Sequence, residues 1–186
     1  MTKNVLVGLS EGFEEIETLT MVDLLRRCQA NVVIASCMPK EYGLLVGGKS
    51  RIQVMADAHF EDVAGQEWDL VAVGGGVINA TYLGKYQPLL DKFVQHRDSG
   101  KWFAAICASP QLVLDANHLI DDYKATSFPK FPLEHCTRVD ERVVVDKNLV
   151  TSRSPGTAME FALKLIEVLY GVEKSREIAG FVLAKE

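Results

Sequence analysis

Short, unbroken apolar runs alternate along the chain with stretches whose apolar positions recur at helical spacing. The runs are Asn4 to Leu9, Asn31 to Ser36, Leu70 to Val73 and Lys101 to Ile106. Lacking the polar alternation of a half-exposed strand, they read as strands covered on both faces, as in a parallel sheet. A helix is predicted over 14–28 between the first two, so the chain opens with a βαβ unit and its right-handed crossover. A second helix is expected over 87–99, stopped by Gly100. A third starts at Ser154-Pro155-Gly156, runs to Tyr170 with Ala158, Phe161, Ala162, Leu165 and Leu169 on one face, and ends at Gly171. Residues 43–56 hold two strand-like pieces around Gly47-Gly48, a predicted hairpin insertion. Residues 143–145 and 149–152 form another around Asp146-Lys147-Asn148, and 124–127 is a short strand candidate. Strand-helix alternation without repeat, linker or low-complexity tract specifies an α/β fold, a mostly parallel sheet with helices on both faces. Ligands on such sheets bind beyond the carboxyl ends of the strands, where Gly12, Gly75 and Cys107 fall.

The chain has 186 residues, enough for one well-buried domain over 1–186. Hydrophobic residues make up 48% of it and charged residues 24%, the balance of a globular protein and not of a disordered or fibrous one. A net charge of −5 without a basic cluster argues against a nucleic-acid partner. No apolar run has the length to cross a bilayer and no signal-peptide pattern precedes the first strand, so no membrane association and a cytoplasmic location are expected. Cys28, Cys37, Cys107 and Cys136 are irregularly spaced and form no C-x-x-C pair. That indicates reduced thiols, with neither a zinc site nor a disulfide framework.

One cysteine stands apart. Ala104-Ala105-Ile106-Cys107-Ala108-Ser109-Pro110 brings an apolar strand to Cys107 and then to a proline suited to the first turn of a helix. Small residues at Ala105, Ala108 and Ser109 permit the tight reversal of a nucleophile elbow with Cys107 at its apex. A sulfur there would face unpaired N–H groups and the positive end of a helix dipole, both of which favour thiolate. The competing reading is the ordinary one for free cysteine, a small buried hydrophobe. Glu14-Glu15-Ile16-Glu17 opens the first helix, and its first two acids read as dipole-favoured residues of an N-terminal turn. Glu17 is expected to point toward the carboxyl edge of the sheet, where burial and a neighbouring thiolate would raise its pKa and let it move protons. Gly74-Gly75-Gly76 fails as a nucleotide fingerprint because Asn79 stands where G-x-G-x-x-G needs glycine. It is either an oxyanion loop or a plain tight turn. His59, His96, His118 and His135 show no metal-ligand spacing, and no Cys-His dyad is legible.

Taken in order, Glu14 to Thr18 with Val22 to Arg27, then Gly75-Gly76, then Ala104 to Ala108, then Thr151 to Thr157 resemble the DJ-1/ThiJ/PfpI superfamily, and within it the DJ-1/YajL-like branch. The resemblance implies a flavodoxin-like α/β sandwich, usually a homodimer, in which the elbow cysteine meets a protonated glutamate. By position these are Cys107 and Glu17. It also implies that Gly75, Gly76, the Ala108 amide and Phe128 line the oxyanion and substrate pocket, that Arg27 and Arg51 match basic positions near a dimer interface, and that no cofactor or metal is used. Ser127-Phe128-Pro129 replaces the DJ-1 pattern of histidine before proline, as in the YajL-like branch, Gly74 replaces the usual proline and Ser154 the usual glycine. Ala108 stands where the protease-like branch has histidine, which makes a peptidase unexpected; the His-x-Glu of class I glutamine amidotransferases is missing.

The function this implies is a cofactor-independent glyoxalase or deglycase. It would act on methylglyoxal-type 2-oxoaldehydes or glycated adducts, with Cys107 as thiolate nucleophile and Glu17 as acid and base. The alternative is a non-enzymatic peroxide sensor with chaperone or stress-protective activity, working through oxidation of Cys107. Thiazole-phosphate synthesis for thiamine, a label attached to ThiJ-like relatives, finds no phosphate loop here.

Overall fold

In the computed structural model, which describes residues 1–184, the first apolar run becomes β1 (Asn4–Leu9), followed by α1 (Glu15–Arg27) and β2 (Asn31–Ser36). The hairpin insertion is β3 (Leu45–Gly47) with β4 (Gln53–Met55), after which come β5 (Ala58–His59), α2 (Phe60–Val63) and β6 (Leu70–Val73). Two helices, α3 (Val77–Leu83) and α4 (Gln87–Ser99), lead into the cysteine-bearing strand β7 (Trp102–Ile106). Beyond the elbow lie β8 (Lys124–Ala125), β9 (Thr137–Arg138), the hairpin β10 (Val143–Asp146) with β11 (Leu149–Ser152), and then α5 (Ala158–Tyr170) and α6 (Val172–Phe181).

Seven strands form the main sheet in the order β10-β11-β7-β6-β1-β2-β5, and every neighbouring pair is parallel except β10 with β11. Alternate residues of each strand face opposite sides. Val5, Val7 and Leu9 therefore join Met21, Leu25, Phe161 and Leu165 under α1 and α5, whereas Leu6, Val71 and Val73 join Phe60, Leu83, Leu89 and Phe93 under α2 to α4. Both faces of the sheet are covered, which is why its central strands carry no polar alternation. From β1 the chain moves outward to β2, then returns to β6 on the other side of β1. The crevice at such a reversal opens between the carboxyl ends of the strands, and β7 with its cysteine lies one strand further on.

Several elements differ from expectation. The helix after the elbow is one π turn, Pro110–Leu114, followed by a 3-10 turn, Asp115–Asn117. Of the 124–127 candidate only Lys124–Ala125 is strand, and it pairs with β9 outside the main sheet. The helices α3 and α6 were not predicted; α6 buries only Ser175 and Ile178, too narrow a stripe to register as amphipathic. Among the described residues no helix is long and apolar enough to cross a membrane.

Candidate active site

Cys107 follows β7 directly with φ at +67°. A non-glycine residue there costs about 1–2 kcal/mol and is held only by its surroundings. Three bonds hold it: Cys107 N–H donates to Ser152 O at 3.0 Å, Phe128 N–H donates to Cys107 O at 2.8 Å, and Ser109 Oγ donates to Gly74 O at 2.7 Å. Ala105 and Ala108 are fully buried, as the tight reversal requires.

Glu17 reaches the same place from α1. It shares a helix face with Met21 and Leu24, at i, i+4 and i+7, so the stripe that buries α1 also turns this carboxyl inward. Glu14 is the N-cap, its carboxylate accepting from Glu17 N–H at 2.9 Å. Glu17 itself is 0% exposed, its Oε2 accepts from Gly75 N–H at 2.8 Å, and no N–H or O–H group of the described residues donates to Oε1. The Cys107 thiol adjoins the same carboxyl at Gly75, where one added Cβ would lie 2.3 Å from Glu17 Oε2 and 3.2 Å from Cys107 Sγ, and the two groups are electrostatically coupled.

The glycine run is demanded by close approach. A Cβ on Gly74 would lie 2.1 Å from Thr18 Oγ1; one on Gly75 would lie 2.3 Å from Glu17 Oε2 and 2.6 Å from Cys107 Cβ; one on Gly76, whose φ is +90°, would lie 2.1 Å from Gly12 O. Asn79, the residue that spoils the nucleotide fingerprint, fixes this loop from beneath. Fully buried, it accepts from Ser10 N–H at 2.8 Å and donates to Gly74 O and Gly75 O at 3.2 and 3.0 Å. The amide of Gly75 is therefore spent on Glu17, and the amides that favour negative charge on the sulfur are those of Ala108 and Gly76.

Burial, reinforced by the neighbouring Glu14 charge, raises the Glu17 carboxyl from its ordinary value to about 7, against the pull of Cys107, the Gly75 amide and Lys49. Burial first, and then the charge and hydrogen bond of Glu17, push the Cys107 thiol up to about 12, against the amides of Ala108 and Gly76. The expected depression of the thiol by a helix dipole is thus corrected: a five-residue π turn offers local N–H groups and little macrodipole. Glu17 raises the thiol while the thiol lowers the carboxyl, so the two titrate as a coupled pair.

Other residues singled out in the sequence lie apart. Arg27 is exposed at the far end of α1, paired with Asp23 at 2.7 Å and with its guanidinium carbon 5.6 Å from the centre of the Phe181 ring. Ten residues of helix separate it from Glu17 by about 15 Å. Arg51, with φ at +69°, stands on the turn between β3 and β4. Phe128 is the exception: its N–H bonds Cys107 O at 2.8 Å, and its half-buried ring lies 6.4 Å from that of Phe131. His118 packs on His135 with ring centroids 4.2 Å apart and bonds Asp121, away from Cys107. Glu15, read as a dipole-favoured residue, does stand in the first turn of α1 and is buried there, while Ile16 beside it is 56% exposed.

A parallel α/β sheet with helices on both faces and a cysteine elbow at its carboxyl edge defines the class: a flavodoxin-like fold carrying a nucleophile elbow. Within that class the chain belongs to the DJ-1/PfpI family, whose family model matches residues 3–168. It is 37% identical over 184 residues to Protein DJ-1 homolog A of Arabidopsis thaliana, covering 98% of this chain but 46% of that protein, so it spans about half the length of that relative. It is 28% identical over 171 residues to the glutathione-independent glyoxalase DJR-1.2 of Caenorhabditis elegans, covering 90% of this chain and 89% of that one. Among solved structures, oxidized DJ-1 of Toxoplasma gondii superposes with a TM-score of 0.93 at 36% identity, covering all of both chains.

Proposed function

We propose that this protein is a cofactor-independent glyoxalase or deglycase acting on 2-oxoaldehydes. The observation that carries the reading is the Cys107–Glu17 pair, a cysteine held at a left-handed elbow and a fully buried carboxyl that meet at Gly75 beside the amides of Gly76 and Ala108. Sulfur adds to the aldehyde carbon of methylglyoxal, and the new alkoxide takes the pair's proton to give a hemithioacetal. The Glu17 carboxylate then removes the hydrogen of that carbon as a proton, giving an enediolate, and returns it to the neighbouring carbon while the hydroxyl proton passes to the neighbouring oxygen, leaving the thioester of a 2-hydroxy acid. Water attacks the thioester, and the products are lactate and the restored thiol. No net oxidation occurs, so no redox partner is required. Amides at Gly76 and Ala108 are suited to the oxygen charge that develops at each addition. The substrate class also agrees with the activity in the name of the Caenorhabditis elegans relative. The protein is proposed to act as a homodimer, with Ile16, Ile52, Met55 and Ile78, each more than half exposed, in the contact.

The test is conversion of methylglyoxal to lactate by purified protein without glutathione, alongside Cys107→Ala and Glu17→Gln. Product that survives Cys107→Ala, or no product from the parent protein, defeats the proposal. A second reading is peroxide sensing: Cys28 and Cys37 are buried, Cys107 and Cys136 are both partly exposed, and of these two Cys107 is the one held at the strained elbow. Peptide mapping after mild peroxide must then place sulfinate on Cys107 ahead of the other three cysteines.

A further inference from the structure

Away from Cys107, the carboxyl ends of β2 and β5 border a cavity of about 160 Å³. Ser36 and Cys37, each 1% exposed, lie deepest; His59, Tyr82 and Tyr86 are half-buried along it, and Lys40 and Glu61 are exposed at its rim. Three strand spacings separate β2 from β7, roughly 14 Å at about 4.8 Å each, so this is not the Cys107 pocket. Open α/β sheets take ligands beyond the carboxyl ends of their strands, and the lining decides which.

Tyr82 and Tyr86 lie nearly parallel, with ring centroids 6.1 Å apart and planes 22° from one another, and Phe60 packs edge-on against Tyr86 at 5.8 Å. Several donors here are already committed within the protein. Tyr82 O–H donates to Cys37 O at 3.1 Å, Lys40 Nζ to Asp62 Oδ1 at 2.5 Å, and Met38 N–H to Ser36 Oγ at 3.3 Å. The acceptors are less well served. Glu61 makes no ion pair among the described residues, and His59 Nδ1 is buried without a hydrogen-bond partner among them. Charge points the same way. Lys40 is the opposing cation in the lining, but Asp62 matches it, which leaves Glu61 and, beside Lys40 in the chain, exposed Glu41.

We propose that this cavity binds a small organic ammonium ion, an amine of about six heavy atoms or fewer. A cavity of about 150 Å³ holds benzene, which sets the size. A cation is attracted to the face of a tyrosine ring within about 6 Å of its centroid, and an ammonium brings the N–H donors that Glu61 and the His59 nitrogen lack. An anion of the same size would meet the Glu61 charge, and an apolar molecule would leave both acceptors unserved.

The experiment is titration of the full ¹⁵N-labelled chain with tert-butylammonium at about pH 7.5, read from backbone amide shifts. It is set against tert-butanol, which has nearly the same shape and no charge. The ammonium should shift amides within 36–41, 59–62 and 82–86 saturably and leave those of 105–109 unmoved, with tert-butanol at least tenfold weaker. Tyr86→Leu should weaken the ammonium about tenfold through the lost ring face. Glu61→Gln, a surface change that leaves the packing intact, should weaken it about threefold at low salt. Equal binding of the two compounds overturns the proposal, and so do shifts that do not saturate, shifts confined to 105–109, or an affinity that neither substitution changes.

Discussion

Replacing Glu17 with glutamine should stabilise this protein at neutral pH and above, although the residue is proposed to be essential for its chemistry. Glutamine keeps the shape of the carboxyl and an oxygen to accept from Gly75 N–H, which now bonds Glu17 Oε2 at 2.8 Å, but it cannot ionise. Glu17 is 0% exposed and its carboxyl is raised from 4.5 to about 7. A raised folded-state value means that the folded protein holds this proton more tightly than the unfolded chain does. The stability that the neutral acid confers is complete below pH 4.5, declines as pH rises and is lost above about 7. A gap of 2.5 units, from 4.5 to 7, corresponds to about 3 kcal/mol at about 1.4 kcal/mol per unit. The assay is urea unfolding of parent and Glu17→Gln at half-unit steps between about pH 4 and pH 8.5, read as the difference between the two proteins so that other titrating groups cancel. The difference should swing toward the variant by about 3 kcal/mol across the window and level off above it. A flat difference, or a swing toward the parent, refutes the argument that burial governs Glu17. The same logic fixes a sign for the thiol. Because the charge and hydrogen bond of Glu17 help to push the Cys107 thiol up, a neutral glutamine should move the Cys107 alkylation midpoint downward, and an upward shift would contradict that coupling.

Two further predictions follow from the frame around the pair. Gly75→Ala puts a Cβ within 2.3 Å of Glu17 Oε2 and 2.6 Å of Cys107 Cβ; it should cost about 1–3 kcal/mol in urea unfolding and slow Cys107 alkylation at least tenfold, and parent-like alkylation would show that the contact is slack. Asp115→Ala removes the buried acceptor of Glu134 N–H at 2.7 Å and His135 N–H at 3.1 Å, a loss of about 3 kcal/mol that should speed hydrogen exchange over 128–138, and unchanged exchange there would count against it.

The sheet was legible because strands covered on both faces carry no polar alternation, and β1, β2, β6 and β7 all lie where the apolar runs fall. The cysteine elbow was legible for a related reason: only small residues fit where strand and turn fold back on each other, and Ala105, Ala108 and Ser109 are all fully buried. Orientation around α1 was harder to see. The pattern Glu15, Ile16, Glu17 invites burial of the isoleucine, yet both acids are inside and Ile16 is 56% exposed. What decides this is tertiary. Met21, Leu24 and Leu25 set the buried stripe, and the first turn must follow it even where the stripe meets carboxylates. The cost is met by partners from distant segments, Gly75 N–H for Glu17 and Ser50 N–H for Glu15, which no local pattern announces.

The glycines carry the same lesson further. Read along the chain, Gly74-Gly75-Gly76 is a phosphate loop that lacks one glycine, an oxyanion loop or a turn, and composition cannot choose among them. In the fold each glycine is required by a different neighbour, Thr18, the Cys107–Glu17 pair, and Gly12. Three segments meet there with no space left for side chains. The asparagine that breaks the phosphate pattern is what makes this possible, since Asn79 bonds the carbonyls of Gly74 and Gly75 while accepting from Ser10. With the Gly74 carbonyl held by Asn79 and Ser109, the Gly74–Gly75 peptide presents its N–H, on the opposite side, to Glu17. The departure from one motif is therefore the support of another, and a buried amide bridging two strand ends is the feature that separates this loop from a nucleotide site.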